Sequence, residues 1–364
     1  MLNKYLKYIS IPIWPILIVL PIMLFGLFSM SDVSGQDKEF YKQAIWIIIS
    51  ICSILIFSNI NYRNLLRSRV SANLYIASNI LLLTLFVLGK VTNGAQSWLH
   101  LGALSFQPAD LMKLCLIMIL AKYFSRRHIE IANAKHLLIS GAYLALPFVL
   151  ILKQPDFGSA VILLMIWGGM ILVSGASRKH ILFLILLGVI GFVLAWNFGF
   201  KSYQKDRIVN FLNPLNDIRG SGYNAYQSTI AVGNGGPWGQ GIGYGSQSRL
   251  NYLPEHETDF IFAAFAEEWG FMGSIALCVL FILLLFYLVS GLYYLNNNYY
   301  ILYISGLIIW LYMHIIINIG MNLGVSPVTG IPLPFMSYGG SHLLLESVAL
   351  GIAISMINSK KSIT

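Results

Sequence analysis

Long apolar runs alternate with short polar breaks along almost the whole chain. A helix rises about 1.5 Å per residue, so roughly 20 apolar residues cross a bilayer core. On that measure the pattern predicts an all-α integral membrane protein of about ten transmembrane helices, near residues 11–30, 41–59, 74–89, 109–124, 137–152, 159–174, 180–199, 259–290, 299–319 and 341–357. No stretch between them is polar enough for a soluble domain, so residues 1–364 are expected to form a single polytopic domain. The first run, Ile11 to Met30, is too long for a signal peptide and lacks its small-residue cleavage site, so it is expected to stay as a span. A large polar loop, residues 200–258, separates spans seven and eight.

Charge orients these spans. Lys4, Lys7, Arg63, Arg67, Arg69, Arg126, Arg127, Lys135, Arg178, Lys179, Lys360 and Lys361 all fall on one side when the spans are counted as even. The opposite short loops hold only Lys38, Lys42, Lys90 and Lys153, with Asp32, Asp37, Glu39 and Asp156. By the positive-inside rule both termini are expected in the cytoplasm, and the 200–258 loop is extracytoplasmic. A residue content that is 57% hydrophobic and 10% charged fits this class, and the net charge of +9 is explained by topology and anionic lipid rather than by nucleic acid. Cys52, Cys115 and Cys278 lie far apart inside apolar runs without metal-ligand spacing, and are expected to be buried and inert.

Polar residues then mark the chemistry. The segment Arg219 to Phe262 ends in Leu253-Pro254-Glu255-His256-Glu257-Thr258-Asp259, three carboxylates within five residues at the mouth of an apolar helix. Such a concentration is costly beside a bilayer unless it lines a wet cavity, which makes it a candidate site. Between the third and fourth spans, Asn93-Gly94-Ala95-Gln96-Ser97-Trp98 leads to Gln107-Pro108-Ala109-Asp110. Trp98 suits either an interfacial anchor or packing on a substrate. Asp110 and Lys113 share a helix face; either they neutralise each other, or Lys113 meets an anionic ligand with Asp110 setting its position.

Gln154-Pro155-Asp156-Phe157-Gly158 forms a tight turn, with Asp156 expected to cap the next helix. Glycines from 233 to 245 lack the Lys-Ser/Thr ending of a P-loop, which excludes that nucleotide site, while Arg207 and Arg249 are candidates for a phosphate-bearing head group. From Pro327 to Ser341, three prolines and repeated glycines at membrane depth predict a broken helix facing a central cavity.

Taken together, the Gln227-Ser228 to Phe262 run, Glu267-Glu268 with Gly270, the Asn93–Trp98 and Gln107-Pro108 loop, Gln154–Gly158, Pro332-Leu333-Pro334-Phe335 and Ser337-Tyr338-Gly339-Gly340-Ser341 resemble the SEDS proteins of bacterial shape, elongation, division and sporulation. The likeness spans nearly the whole chain. Gly330-Ile331-Pro332-Leu333-Pro334 and the short tails are closer to the rod-shape-determining branch, RodA, than to the division branch, FtsW.

The resemblance implies a ten-span peptidoglycan glycosyltransferase of the bacterial inner membrane. Such an enzyme polymerises lipid II, the undecaprenyl-pyrophosphate-linked precursor, with a class B penicillin-binding protein as transpeptidase and the elongation machinery around it. Asp259 matches the family's catalytic aspartate. Gln107 belongs to a shared motif, and Trp98, Lys113 and the run Ser337, Tyr338, Gly339, Gly340, Ser341 match positions in or beside the same cavity. Two departures stand out: Asp110 where the family usually has Glu, and Glu257 where it often has His.

The chemistry agrees with that reading. Asp259 would act as general base on an acceptor hydroxyl, and a single displacement at an α-linked sugar diphosphate would give a β-linked glycan by inversion. Lys113, Arg207, Arg249 or a divalent cation, Mg or Mn, would offset the pyrophosphate charge; no organic cofactor is expected. Glu255 and Glu257 would hold that metal or remain solvated loop charges. The rival class is a lipid-linked-precursor flippase or ion-coupled carrier, which would use Asp110, Lys113, Glu267, Glu268 and Glu346.

Overall fold

The computed structural model describes residues 13–30, 38–62, 69–92, 95–101, 104–126, 134–213, 222–250 and 252–359. Asn93, Gly94, Arg219, Asp32, Asp37 and the orienting cations at positions 4, 7, 63, 67, 127, 360 and 361 lie outside them. Helices cover all ten apolar stretches: α1 (Ile13–Ser29), α2 (Lys38–Ser58), α3 (Val70–Leu88), α4 (Pro108–Ser125), α5 (Ala134–Lys153), α6 (Phe157–Val173), α7 (Arg178–Leu194), α11 (Ile261–Tyr293), α12 (Asn298–Asn322) and α13 (Gly340–Asn358). Seven are long and apolar enough to cross a membrane. Helices α1 and α6 have 17 residues each, about 26 Å, near the lower limit for a span. Helix α4 carries Asp110, Lys113 and Lys122 within its 18 residues.

Burial separates these helices by depth. Met112, Cys115, Leu116, Ile117, Leu120 and Ala121 of α4 are wholly buried, and α12 packs along α4 and α6. Helix α7 is the opposite case: Leu182, Phe183, Ile185, Leu186 and Val189 are all exposed, as suits a helix surrounded by lipid. Lipid is as apolar as leucine, so helices here associate by close packing. A β-carbon on Gly351 of α13 would lie 3.1 Å from the Ile54 carbonyl oxygen of α2. Gly26 of α1 is tighter still, since its β-carbon would meet the carbonyl of Met336.

Four regions differ from the pattern read along the chain. The loop after α3 is a three-stranded antiparallel meander, β1 (Lys90–Thr92), β2 (Ala95–Leu101) and β3 (Leu104–Phe106), with Lys90 opposite Trp98 and Leu99 opposite Phe106. The large loop contains helices α8 (Ser202–Leu212), α9 (Tyr223–Asn234) and the single turn α10 (Ser246–Arg249), with α9 packed on α11 and α12. The proline segment 323–339 joins α12 to α13 as an irregular connector rather than as a break within one helix. Cys52 is exposed on α2 and Cys278 half-buried, because their helix faces point outward; only Cys115 is buried.

The fourth difference is a break in α11 at Gly270, whose φ is +68°. Loop 236–241 takes over the backbone groups released there: the Gln240 and Gly241 N–H groups donate to the Glu267 and Glu268 carbonyls at 3.0 Å, and Phe271 and Met272 donate to Gly236 and Pro237 at 2.9 and 3.1 Å. Irregular backbone at this depth survives only with such replacement partners. The contact needs glycine on both sides, because a β-carbon on Gly270 would meet the Gly239 nitrogen, and one on Gly239 would meet the Glu268 carbonyl.

Candidate active site

The turn before α11 is built from its own polar residues and then clamped from two sides. Thr258 and Phe260 donate their N–H groups to the Glu255 carbonyl at 3.2 and 3.1 Å, and the Thr258 hydroxyl donates to Glu255 Oε2 at 2.8 Å. These bonds hold Glu255 at φ +56°, an unfavourable conformation for a residue with a side chain. From α12, the Asn318 and Asn322 amides donate to the Asp259 carbonyl at 2.9 and 3.1 Å. Asn322 Oδ1 accepts the Ala263 N–H at 3.0 Å, sharing with the Phe260 carbonyl a donor in the first turn of α11. From the connector, Ser337 Oγ donates to the Thr258 carbonyl at 2.6 Å and the Tyr338 N–H donates to the Glu257 carbonyl at 2.8 Å.

The main chain on both sides of Asp259 is thus fixed, and its carboxyl group faces other charges. The Asp259 pKa is raised from 3.8 to about 7, chiefly by burial and then by the Glu255 carboxylate, with the Arg207 guanidinium opposing and the Asp156 carboxylate adding to the rise. The side chain keeps partial access to solvent. Gly330, at φ +71°, sits against it: a β-carbon there would lie 3.3 Å from Asp259 Oδ2. Burial lowers the pKa of His256, with the Leu253 carbonyl 3.1 Å from Nδ1 opposing that shift, so it is neutral beside the acids. Arg207 also lines a cleft of about 150 Å³ between α8, α9 and the connector, with Asn210, Phe211, Tyr226, Pro327 and Val328.

Residues from three further segments converge here. Asp156 caps α6 by accepting the Ser159 N–H at 3.0 Å, and its other oxygen accepts from Gln107 Nε2 at 3.1 Å. The Gln107 N–H donates to Ser341 Oγ at 3.4 Å. Gly158 lies against the Thr329 carbonyl. Trp98 stands half-buried on β2, Tyr338 and Gly339 are half-buried in the connector, and Gly340 packs on the Trp46 ring.

Two expected cations have protein partners. Lys113 is 2% exposed and bonds Asp110 Oδ1 at 2.8 Å, the neutralising arrangement. Arg249, expected at a phosphate, instead binds Glu268 Oε1 at 2.7 Å, because that fully buried carboxylate requires a counter-charge. Its neighbour Glu267 accepts N–H groups from Gln247 and Ser248 and hydroxyls from Ser246 and Ser248. Neither glutamate stands free for transport.

Asn318, Asn322, His314 and His342 did not emerge from the sequence. The available signal was polar residues four apart, His314, Asn318 and Asn322, within an otherwise apolar helix. His314, His342 and Glu346 place metal-type ligand atoms within 4.8 Å of one another. The arrangement does not suit an ion: the His314 and His342 rings stack at 5.3 Å, and Lys113 Nζ and Trp310 Nε1 approach His314 Nε2 at 3.4 and 3.1 Å.

Comparison with known proteins decides the family. Residues 8–362 match the FtsW/RodA/SpoVE family, described as "Cell cycle protein". The chain belongs to that family. Peptidoglycan glycosyltransferase MrdB of Escherichia coli K12 is 32% identical over 96% of this chain and 94% of its own length. The chain is a multi-span membrane glycosyltransferase of bacterial cell-wall synthesis. Stage V sporulation protein E of Bacillus subtilis is 35% identical over 93% and 94%. Rod shape determining protein RodA of Thermus thermophilus matches in structure with a TM-score of 0.70 at 26% identity, covering 95% of this chain and 96% of that one. A solved structure of a peptidoglycan synthase complex that coordinates polymerization and crosslinking matches at 0.83 with 29% identity, covering 95% and 97%.

Proposed function

We propose that this chain polymerises lipid II into the glycan strands of peptidoglycan during cell elongation, with Asp259 as general base. The observation that carries the reading is a carboxyl group of pKa about 7, fixed through its main chain by Asn318, Asn322 and Ser337 and set beside Arg207. A general base works best when its pKa lies near the operating pH.

In the proposed reaction Asp259 takes the proton of the acceptor sugar's hydroxyl. The oxygen attacks the anomeric carbon of the lipid-linked sugar, and the carbon–oxygen bond to undecaprenyl pyrophosphate breaks, with its electron pair leaving on the phosphate. One displacement inverts α to β. Arg207, whose charge acts on the Asp259 carboxyl group, would offset the leaving charge, with the adjoining cleft receiving part of the substrate. Trp98, Gln107, Asp110, Lys113, Tyr338, Gly339, Gly340 and Ser341 would shape the surrounding cavity, and Lys113 would meet the pyrophosphate only by leaving Asp110. Glu255 and Glu257 are the oxygen donors that would hold Mg²⁺ or Mn²⁺, and a bound ion would supply further neutralisation of the pyrophosphate.

The likeness to a synthase complex supports a class B penicillin-binding protein as partner, and MrdB and RodA as relatives support the elongation role. The whole chain would form one polytopic domain of ten spans in the inner membrane, both termini cytoplasmic and residues 200–258 outside. The test is polymerisation of lipid II by detergent-solubilised protein with its transpeptidase partner and no membrane gradient. The wild type is expected to make long glycan, and Asp259→Asn to lose on the order of 10²–10⁴-fold in rate. A wild type that makes no polymer yet moves lipid II across sealed vesicles would replace this reading with a transporter.

A further inference from the structure

The Asp110–Lys113 pair is one end of a longer chain of buried charges. Asp110 Oδ1 meets Lys113 at 2.8 Å, and Oδ2 lies 3.4 Å from His342 Nδ1. The other ring nitrogen of His342 lies 2.9 Å from Glu346 Oε1. All four side chains are 0–4% exposed. The imidazole thus stands between two carboxylates, one within ion-pair distance of each ring nitrogen. The order is then Lys⁺, Asp⁻, His⁺, Glu⁻, which balances to zero in a place where one unpaired charge costs several kcal/mol. His314 packs against this chain as a neutral ring, with Nδ1 at 3.2 Å from the Pro332 carbonyl.

The far end of the chain grips the connector. Glu346 Oε2 accepts the Phe335 N–H at 2.9 Å, and Phe335 has φ +60°, a conformation that a side-chain-bearing residue keeps only when held. Two residues later Ser337 takes the Leu333 N–H at 2.8 Å and donates to Thr258, the residue before Asp259. A charged acceptor binds an N–H about twice as strongly as a neutral one. The Glu346 carboxyl group, held on its other oxygen by His342 at 2.9 Å, therefore stabilises the turn that orients Ser337.

We propose that His342 and Glu346 are positioning residues for the glycosyl-transfer reaction, holding the Phe335–Ser337 turn that clamps the Thr258–Asp259 main chain. They touch no reacting atom. The proposal rests on Asp259 being the base, and it adds that a pair on α13, remote in sequence, sets where that base stands.

The test measures polymerisation of lipid II by the full chain with its partner, comparing kcat with KM in purified variants. The double variant His342→Gln/Glu346→Gln keeps both the charge balance and an acceptor for Phe335, and is expected to stay within about threefold of wild-type kcat. His342→Leu/Glu346→Leu also balances charge but removes that acceptor, and is expected to lose about tenfold or more in kcat with KM within about twofold. Wild-type kcat in the leucine pair, or a change confined to KM, would overturn the proposal. Should the leucine pair fail to fold, a cycle of the pair His342→Gln/Glu346→Met, which balances charge and gives Phe335 no acceptor, with Ser337→Ala decides: the proposal requires their effects on kcat to be strongly non-additive, and additive losses would overturn it. A wild type without polymerase activity would refute the proposed function instead.

Discussion

The pH dependence of polymerisation follows from the surroundings of Asp259 and can be moved in both directions. A base must be ionised to accept a proton, and the folded pKa of this one is raised to about 7. Activity is therefore expected above that value and lost as pH falls through it. With a single ionisation, roughly 91% of molecules carry the base form at pH 8, half at pH 7 and roughly 9% at pH 6, so the rate should fall about tenfold from pH 8 to pH 6. An ordinary aspartate would show no change across that range. Glu255 contributes to the raised value and Arg207 opposes it. If each coupling is worth ~1 kcal/mol, it moves the acid limb by about 0.7 pH unit. Glu255→Gln should then move the limb towards acid, and at pH 6 run about three- to fourfold faster than the wild type relative to its own plateau. Arg207→Gln should move it towards alkali, losing about threefold at pH 7 on the same scale and regaining that part by pH 9. The assay is the initial rate of glycan formation by the purified complex between pH 5.5 and 9, with substrate saturating. An acid limb near pH 4 in the wild type, or limbs that move the same way in both variants, would refute the assignment of Asp259 as a base tuned by these neighbours.

Two further outcomes are expected. Gly270→Ala forces a β-carbon against the Gly239 nitrogen at a φ of +68°, so the protein should lose more than the ~1 kcal/mol of an ordinary Gly-to-Ala strain and unfold at a clearly lower temperature; unchanged thermal unfolding in detergent would contradict the described crossing. For topology, Tyr244 is 72% exposed on the large loop, whereas the Gln247 N–H is bound to Glu267; in a background without the three natural cysteines, Tyr244→Cys should react with an impermeant thiol reagent added to intact spheroplasts. Protection there would place the loop on the cytoplasmic side.

The apolar runs by themselves determined where the long helices lie, because in lipid every backbone polar group must be satisfied within the segment and only a helix does that for a single run. The acids at 255–259 likewise stood out, since polar residues beside a bilayer are costly and need a reason. Local pattern stopped there. The strands at 90–106 depend on pairing with one another, and the helices of the large loop on packing against α11 and α12. The Gly270 break is tolerable only because residues 236–241 return to its freed backbone groups. Lys113 had two readings along the chain and Arg249 one, at a phosphate, and the fold gave them Asp110 and Glu268 as partners. Asn318, Asn322 and Ser337 lie 59 to 79 residues from the turn they clamp. Partners that distant are joined by tertiary packing, and the raised pKa of Asp259 is a property of that packing: the residue's identity is written in the sequence, while the charges around it come from its own turn and from two other segments, those of Asp156 and Arg207.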